Sequence, residues 1–117
     1  MDLNLAIQKH AQWKFKFAAA VRSNEPLDVA TISKDNCCEF GIWLYGDAKN
    51  QFQKLPAYVN CLSSHAEFHT AAGKVAAAIN AKKTAEAEAM MAAGSPFSET
   101  SKKVSVAIIE LKNAAKM

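Results

Sequence analysis

The sequence predicts an all-α fold: a four-helix bundle with one short additional helix. Apolar residues recur at intervals of three and four along three long stretches, which is the spacing of one face of a helix. Proline and glycine separate these stretches from one another. The chain has 117 residues, half of them apolar, so we expect one globular domain over residues 1–117.

The first helix is predicted over residues 2–23, with Asp2 capping its start. The spacing of three and four holds for Leu3, Ile7, His10, Lys14, Phe17 and Val21, and with Ala6, Trp13 and Ala20 beside them they form a wide apolar stripe that contains His10. The sequence Asn24-Glu25-Pro26 ends this helix, because proline disfavours the helical conformation in the residue before it. Residues 27–34 follow as a connector with room for one helical turn.

The next segment, CCEFGIWLYG at residues 37–46, is short and rich in aromatic residues. By periodicity alone it fits either a buried strand or a short helix. A helix is favoured, because nothing else in the chain offers a strand partner. Asp35 or Asn36 can cap its start, and Gly46 can end it.

Three further helical pieces complete the bundle. The third helix is predicted from Pro56 to about Lys82, with proline in its first turn. A piece over Ala85–Ala93 ends at Gly94, and the last helix runs from Ser95-Pro96 to about Ala115. The inner stripe of the third helix consists of Tyr58, Leu62, His65, His69, Ala72, Ala76 and Ile79. The core face of the last helix consists of Phe97, Val104, Ile108, Leu111 and Ala115.

The charge and hydropathy of the chain disfavour nucleic-acid binding and a membrane span. The 14 basic and 11 acidic residues give a net charge of +3 and are scattered, which disfavours nucleic-acid binding. No apolar run approaches the roughly 20 residues that span a bilayer, and the N-terminus does not resemble a signal peptide. We therefore expect a cytoplasmic protein without a membrane span.

The three cysteines, two of them adjacent, do not form a disulfide framework. In a reducing compartment such thiols serve as metal ligands, redox groups or packing residues. The only histidines are His10, His65 and His69, and the last two share one helical face one turn apart. Two imidazoles in a small core both need partners, and a shared metal ion satisfies both at once.

Three imidazoles and one thiolate form a tetrahedral zinc ligand set. The thiolate favours zinc over magnesium, calcium or manganese, with copper(I) as the chemical competitor. Cys61 lies one turn before His65, and ligands on three successive turns would span about 11 Å. Cys61 is therefore predicted to be a core residue. Cys37 and Cys38 point about 100° apart on a helix, and composition does not choose between them.

The motif CEFGIW at residues 38–43 resembles the signature of the bacterial chemoreceptor zinc-binding (CZB) domain, which is Cys, any residue, Leu or Phe, Gly, any residue, Trp. That family adds one histidine before the motif and an HxxxH pair after it, as His10 and His65/His69 stand here. The resemblance covers most of the chain, from His10 through the last helix. It implies that Cys38 is the cysteine ligand, so the expected Zn²⁺ ligands are His10, Cys38, His65 and His69.

The resemblance also implies a function. Domains of this family are α-helical bundles, usually homodimers, attached to chemoreceptors or diguanylate cyclases. We expect a zinc-binding sensory domain, not an enzyme, that senses zinc or oxidants such as hypochlorous acid and controls a chemotaxis or cyclic-di-GMP partner. Family members usually carry an output module and this chain shows none. It is either a free-standing member or a fragment of a longer receptor.

Two alternatives remain open from the residues. Four protein ligands would close a zinc site and leave no position for a substrate water. If instead three histidines hold a catalytic zinc with water, Cys38 only packs and Glu67 or Glu39 serves as general base. A regular helix turns Glu67 away from the histidine face, which disfavours this reading. The other alternative is a purely structural zinc bundle. A di-iron centre is disfavoured, because Glu-x-x-His pairs are missing.

Overall fold

The computed structural model describes residues 1–117 as eight helices with no strand, so the predicted all-α class is confirmed. The helices are α1 (Leu3–Ala11), α2 (Trp13–Ser23), α3 (Val29–Ile32), α4 (Glu39–Tyr45), α5 (Asp47–Phe52), α6 (Pro56–Asn80), α7 (Thr84–Met90) and α8 (Pro96–Ala115). Helices α6 and α8 pack along each other, α1 lies against α8, and α2 and α3 lie against α6. The bundle is elongated, 43 × 24 × 19 Å. No helix has both the length and the apolar character needed to cross a membrane.

The stretch predicted as one helix over residues 2–23 is two helices, α1 and α2, joined by a turn at Gln12. The predicted start is correct, since the Asp2 carboxylate accepts a hydrogen bond from the Leu5 N–H at 3.0 Å. Asn24 ends α2 in the left-handed conformation, with φ of 59°. At the turn, Phe15 N–H bonds to the Gln12 carbonyl three residues back. Neither proline nor glycine marks this position, so the sequence does not signal it.

The short aromatic helix α4 begins later than predicted. Its N-terminal cap is Cys38 instead of Asp35 or Asn36, and the Cys38 sulfur accepts a hydrogen bond from the Gly41 N–H at 3.3 Å. Both adjacent cysteines therefore precede the helix, and the backbone of Cys38 is extended. A Cβ on Gly41 would overlap the Asp35 carbonyl oxygen. The missing side chain allows the chain before α4 to fold closely over its first turn.

The other boundaries follow the sequence closely. Helices α6 and α8 start at Pro56 and Pro96 as predicted, α6 ends at Asn80, and α7 ends at Met90 instead of Ala93. The connector holds α3 as its one helical turn, whereas α5 is an additional helix that no sequence signal predicted.

The apolar core lies along α6 and sets the position of the histidines. Its largest fully buried apolar side chains are Phe17, Leu44, Phe68, Val75, Val104, Ile108 and Leu111. Burying one such side chain stabilises a fold by about 1.5–3 kcal/mol. The connector is held to the end of α6 by Asn80, whose amide group bonds to the N–H and the carbonyl of Leu27 at 2.8 and 2.7 Å. This attachment fixes α3 beside the histidine face of α6.

Candidate metal centre

Four side chains from three parts of the chain converge inside the bundle. His10 comes from α1, Cys38 from the start of α4, and His65 and His69 from α6. One donor atom from each lies within 4.8 Å of all the others. The three histidines are at most 4 % exposed, whereas Cys38 is half-buried. Cys38 is therefore the most solvent-accessible member of the cluster.

The spacing of the donor atoms matches the size of a tetrahedral zinc site. The Nε2 atom of His65 lies 3.1 Å from Nε2 of His10 and 3.0 Å from Nε2 of His69. The Cys38 sulfur lies 3.3, 3.6 and 3.9 Å from Nε2 of His65, His69 and His10, respectively. With the usual bond lengths to zinc, a regular tetrahedron separates two nitrogens by about 3.3 Å and nitrogen from sulfur by about 3.6 Å. The residues present therefore fit a zinc ion.

Backbone carbonyls orient two of the imidazoles. His10 Nδ1 donates to the carbonyl of Ala6 at 2.7 Å, and His69 Nδ1 donates to the carbonyl of Ile32 at 2.9 Å. A carbonyl only accepts, so both rings carry their proton on Nδ1 and present the Nε2 lone pair to the cluster. Such a carbonyl partner on the far nitrogen is a regular feature of metal-binding histidines.

His65 occupies the middle of the cluster. It is fully buried, and its Nδ1 has no hydrogen-bond partner. Its Nε2 faces the lone pairs of the other two histidines, and one proton there can satisfy only one of them. A cation held by all three nitrogens would satisfy every inward lone pair at once. The unpartnered Nδ1 costs about 1–3 kcal/mol, and the fold carries this cost at the centre of the cluster.

Burial keeps the cluster uncharged. Desolvation, with a smaller contribution from the neighbouring histidines, lowers the pKa of His10 to about 4 and that of His65 to about 2. Desolvation also lowers the pKa of His69. The three imidazoles are thus neutral near pH 7, the form in which histidine binds a metal. Burial raises the pKa of the Cys38 thiol, partly offset by the Gly41 N–H. A metal ion that binds here must displace the thiol proton.

The remaining cysteines lie outside the cluster. Cys61 is fully buried in the apolar core, as predicted, and burial raises the pKa of its thiol to about 12. Cys37 is exposed. The tertiary structure thus distinguishes the two adjacent cysteines, and it directs only Cys38 to the histidines.

Neither carboxylate considered as a general base reaches the cluster. Glu39 is exposed and forms an ion pair with Lys9 at 3.1 Å. Glu67 lies on the outer side of α6 and pairs with Lys103 of α8 at 3.0 Å. Both carboxylates are surface charges, and neither belongs to the group of converging donors. The catalytic alternative therefore lacks a base next to the histidines.

Several groups around the centre have no signature in the sequence. The carbonyls of Ala6 and Ile32 and the N–H of Gly41 are backbone atoms, so residue types do not reveal them. The ring of Phe40 meets those of His10 and His65 edge to face, with centroids 5.7 and 5.1 Å apart. This residue is the phenylalanine of the CEFGIW motif, and its ring helps to exclude water from the cluster.

The fold and the cluster together define a helical domain with a candidate three-histidine, one-cysteine metal centre. Among known protein families, the chemoreceptor zinc-binding domain matches residues 10–76, which is more than half of the chain and includes all four donor residues. The chain belongs to this family, whose members are zinc-binding sensory modules of signalling proteins and not enzymes. No curated protein and no solved structure matches the chain.

Proposed function

We propose that this domain binds one Zn²⁺ through His10, Cys38, His65 and His69 and uses the occupancy of this site to control a bacterial signalling partner. The observation that carries the proposal is the convergence of three Nε2 atoms and one sulfur within 4.8 Å in a buried site. Zinc is the preferred ion because one thiolate and three imidazoles suit zinc better than the hard divalent cations. Membership of the zinc-binding family supports the same ion.

The role is regulatory, because four protein ligands complete a tetrahedral zinc site. A catalytic zinc keeps one position open for water or substrate. Zinc would link α1, the start of α4, and α6. These parts are separated along the chain by α2 and α3 on one side and by α5 on the other. Loss of zinc would free α1 and α4 to move relative to α6. A partner that contacts both parts can detect that movement, because zinc binds the two arrangements with different affinity.

The signal is zinc itself or an oxidant such as hypochlorous acid that attacks Cys38. A cavity of about 370 Å³ opens beside the site, and among the four donors it is lined by His10 and Cys38. We call this cavity the access groove. Trp13 and Phe40 line its apolar part, and Glu39 lies among its polar residues. Because an oxidised sulfur is a poorer zinc ligand, oxidation through the access groove would release the ion.

The unit of function is one domain over residues 1–117, assembled as a homodimer in the cytoplasm. The homodimer is proposed from the family resemblance, and Phe15, Ile42, Val59 and Val106, each more than half exposed, are apolar side chains available for its interface. The output comes from a chemoreceptor or diguanylate cyclase type of protein, either as a separate partner or as another part of the same polypeptide.

The first test is the metal content of protein purified without a histidine tag or added metal. About one zinc per chain is expected, because four protein donors hold one ion. Absorption of a cobalt-substituted sample reports the sulfur ligand, with a thiolate-to-metal band in the wild type that Cys38→Ala removes. Folded protein that neither holds nor takes up zinc would refute the proposal. Zinc that neither exchanges nor leaves on oxidation would instead indicate a structural bundle.

A further inference from the structure

We propose that Cys37 is the resolving thiol of this site, which condenses with oxidised Cys38 to form a reversible disulfide between adjacent residues. The inference rests on the proposed zinc site. It assigns a function to the one cysteine that neither the cluster nor the core uses. Through this disulfide, oxidation would release zinc while Cys38 can still be reduced back to a zinc ligand.

The two thiols differ in environment although they are neighbours in sequence. The Cys38 side chain turns inward to the histidines, whereas Cys37 is exposed. The only polar neighbour of the Cys37 sulfur is Asn36 Oδ1 at 3.6 Å, a weak contact that leaves the thiol free to move. The third cysteine, Cys61, is fully buried in the core and cannot approach. Cys37 is thus the thiol of this chain that can reach Cys38.

The local backbone permits this pairing. Both cysteines precede α4, and Cys38 has an extended backbone with φ of −77° and ψ of 158°. The helix holds Cys38 through its carbonyl, which accepts from the Ile42 N–H at 2.9 Å, and through the Gly41 N–H that its sulfur caps. By contrast, no backbone hydrogen bond holds Cys37. Adjacent Cα atoms lie about 3.8 Å apart, less than the roughly 4.4–6.8 Å of ordinary disulfides. The bond would be strained and therefore easily reduced.

Formation of the disulfide requires a two-electron oxidant, such as hydrogen peroxide or hypochlorous acid. With peroxide, the Cys38 thiolate takes one oxygen to become a sulfenic acid, and hydroxide leaves. The Cys37 thiolate then attacks that sulfur, the sulfur–sulfur bond forms, and a second hydroxide leaves. The two sulfurs have lost two electrons and peroxide has gained them. Two molecules of a cellular thiol reduce the disulfide, restore both cysteine thiols and leave as their own disulfide.

Formation of the disulfide would also act on the helix. The Cys38 sulfur would turn away from the three histidines and from the Gly41 N–H that it caps. Zinc would lose its thiolate ligand, and α4 would lose its N-terminal cap in the same event. Without Cys37, further oxidant converts the sulfenic acid to sulfinic acid, which thiols do not reduce.

The test compares the zinc-loaded wild type with Cys37→Ser, and with Cys61→Ser as a control for loss of a cysteine. Each protein is treated with hydrogen peroxide, alkylated without reductant and cleaved after lysine. The fragment of residues 35–49, between Lys34 and Lys49, contains Cys37 and Cys38 but not Cys61. In the wild type and Cys61→Ser we expect this fragment to be unalkylated and lighter by two hydrogen atoms than the same fragment with two free thiols. In Cys37→Ser we expect it with added oxygen.

Reversibility is the second measurement. After treatment with dithiothreitol and added zinc, the wild type should regain about nine-tenths of its zinc, and Cys37→Ser less than about half. Equal recovery in both proteins, or a disulfide that joins two chains, would overturn the proposal. The mass of the fragment is also measured after peroxide treatment of chelator-treated protein. This measurement tests disulfide formation even if the wild type does not hold zinc. Zinc that peroxide does not release from the wild type would count against the proposed oxidant response.

Discussion

At the scale of single residues, Cys38 differs from the three histidines because it also supports the local structure. Its sulfur caps α4 through the Gly41 N–H while it faces the Nε2 atoms of the cluster. The histidines, by contrast, are held by their own helices, and backbone carbonyls orient the rings of His10 and His69. Loss of one helix cap costs only about 1 kcal/mol, so we expect substitution of Cys38 to weaken zinc binding strongly while the helical fold remains.

Removal of any one of the proposed ligands should weaken zinc binding. Cys38→Ala, His65→Ala and His69→Ala should each weaken zinc binding by about 100-fold or more, because each removes one of four donors. Cys61→Ala is the matched control, and it should leave zinc affinity near that of the wild type. Competition with a chromophoric chelator measures the affinity, and far-ultraviolet circular dichroism checks that the helices remain. Unchanged affinity in Cys38→Ala would refute the assignment of that ligand.

The pH dependence of zinc binding should report on Cys38 alone near neutrality. Burial raises the pKa of this thiol, so zinc must displace one proton as it binds. Burial lowers the pKa of His10 to about 4, that of His65 to about 2 and that of His69 below its usual value, so the imidazoles are neutral near pH 7. Zinc affinity should then fall about tenfold for each unit that pH falls between about 8 and about 6.

The matched sample for this titration is Cys38→Ala. It has no thiol proton to displace, so its weaker affinity should change little over the same range. The same competition assay at each pH gives both curves. A wild-type slope that persists in Cys38→Ala would show that another group takes up the proton.

At the scale of elements, the start of α4 connects the sequence motif to the site. Gly41 lets the chain at Asp35 cross directly over the first turn of the helix. That crossing places Cys38 at the N-terminus of α4 with its sulfur toward α1 and α6. The glycine of the motif is therefore needed for close packing, and the phenylalanine before it covers the histidines.

Gly41→Ala tests this geometry. The added Cβ would overlap the Asp35 carbonyl oxygen, so the segment before α4 must shift. We expect the free energy of unfolding to fall by about 1–3 kcal/mol, as for other overpacked sites, and zinc affinity to fall with it. Urea unfolding and chelator competition measure the two effects. Ile42→Ala, at an exposed position of the same helix, is the control. If Gly41→Ala were as stable as Ile42→Ala, the close approach of the Asp35 carbonyl to Gly41 would be contradicted.

At the scale of the whole molecule, the site joins parts of the bundle that otherwise meet through a modest core. Helices α6 and α8 share the largest contact, and the fully buried Val104, Ile108 and Leu111 hold them together. Helix α1 and the start of α4 add His10 and Cys38 to His65 and His69 near the middle of α6. The α6–α8 pair should therefore stay folded when the contacts at the site are lost.

Removal of zinc should accordingly loosen α1 and α4 rather than the whole molecule. We expect chelator-treated protein to unfold at a lower temperature, since free zinc at about 1,000 times its Kd stabilises the bound form by about 4 kcal/mol. Amide hydrogen exchange should become faster in residues 3–11 and 39–45 and remain slow around Ile108 in α8. Cys38→Ala with and without chelator is the control. Uniformly faster exchange along the chain would contradict a local change.

The sequence by itself determined the all-α class, the starts of α6 and α8, and the four residues that are candidates for the site. These follow from local rules, because apolar periodicity, proline in the first turn and capping residues act over a few neighbouring positions. The CEFGIW motif and the histidine spacing were sufficient to identify the family. The sequence did not reveal the turn at Gln12 or the helix α5, which no proline or glycine rule marks.

Only the tertiary structure decided how the imidazoles are turned, and it supplied the physical reason why Cys38, which the family resemblance implied, faces the histidines. Composition left Cys37 and Cys38 equivalent, and they separate because α4 begins after both and folds back at Gly41. The Nε2 lone pairs of His10 and His69 point inward because the carbonyls of Ala6 and Ile32 accept from the opposite nitrogens. Backbone groups have no sequence signature, and the carbonyl that orients His69 comes from a distant segment, so only folding brings them together.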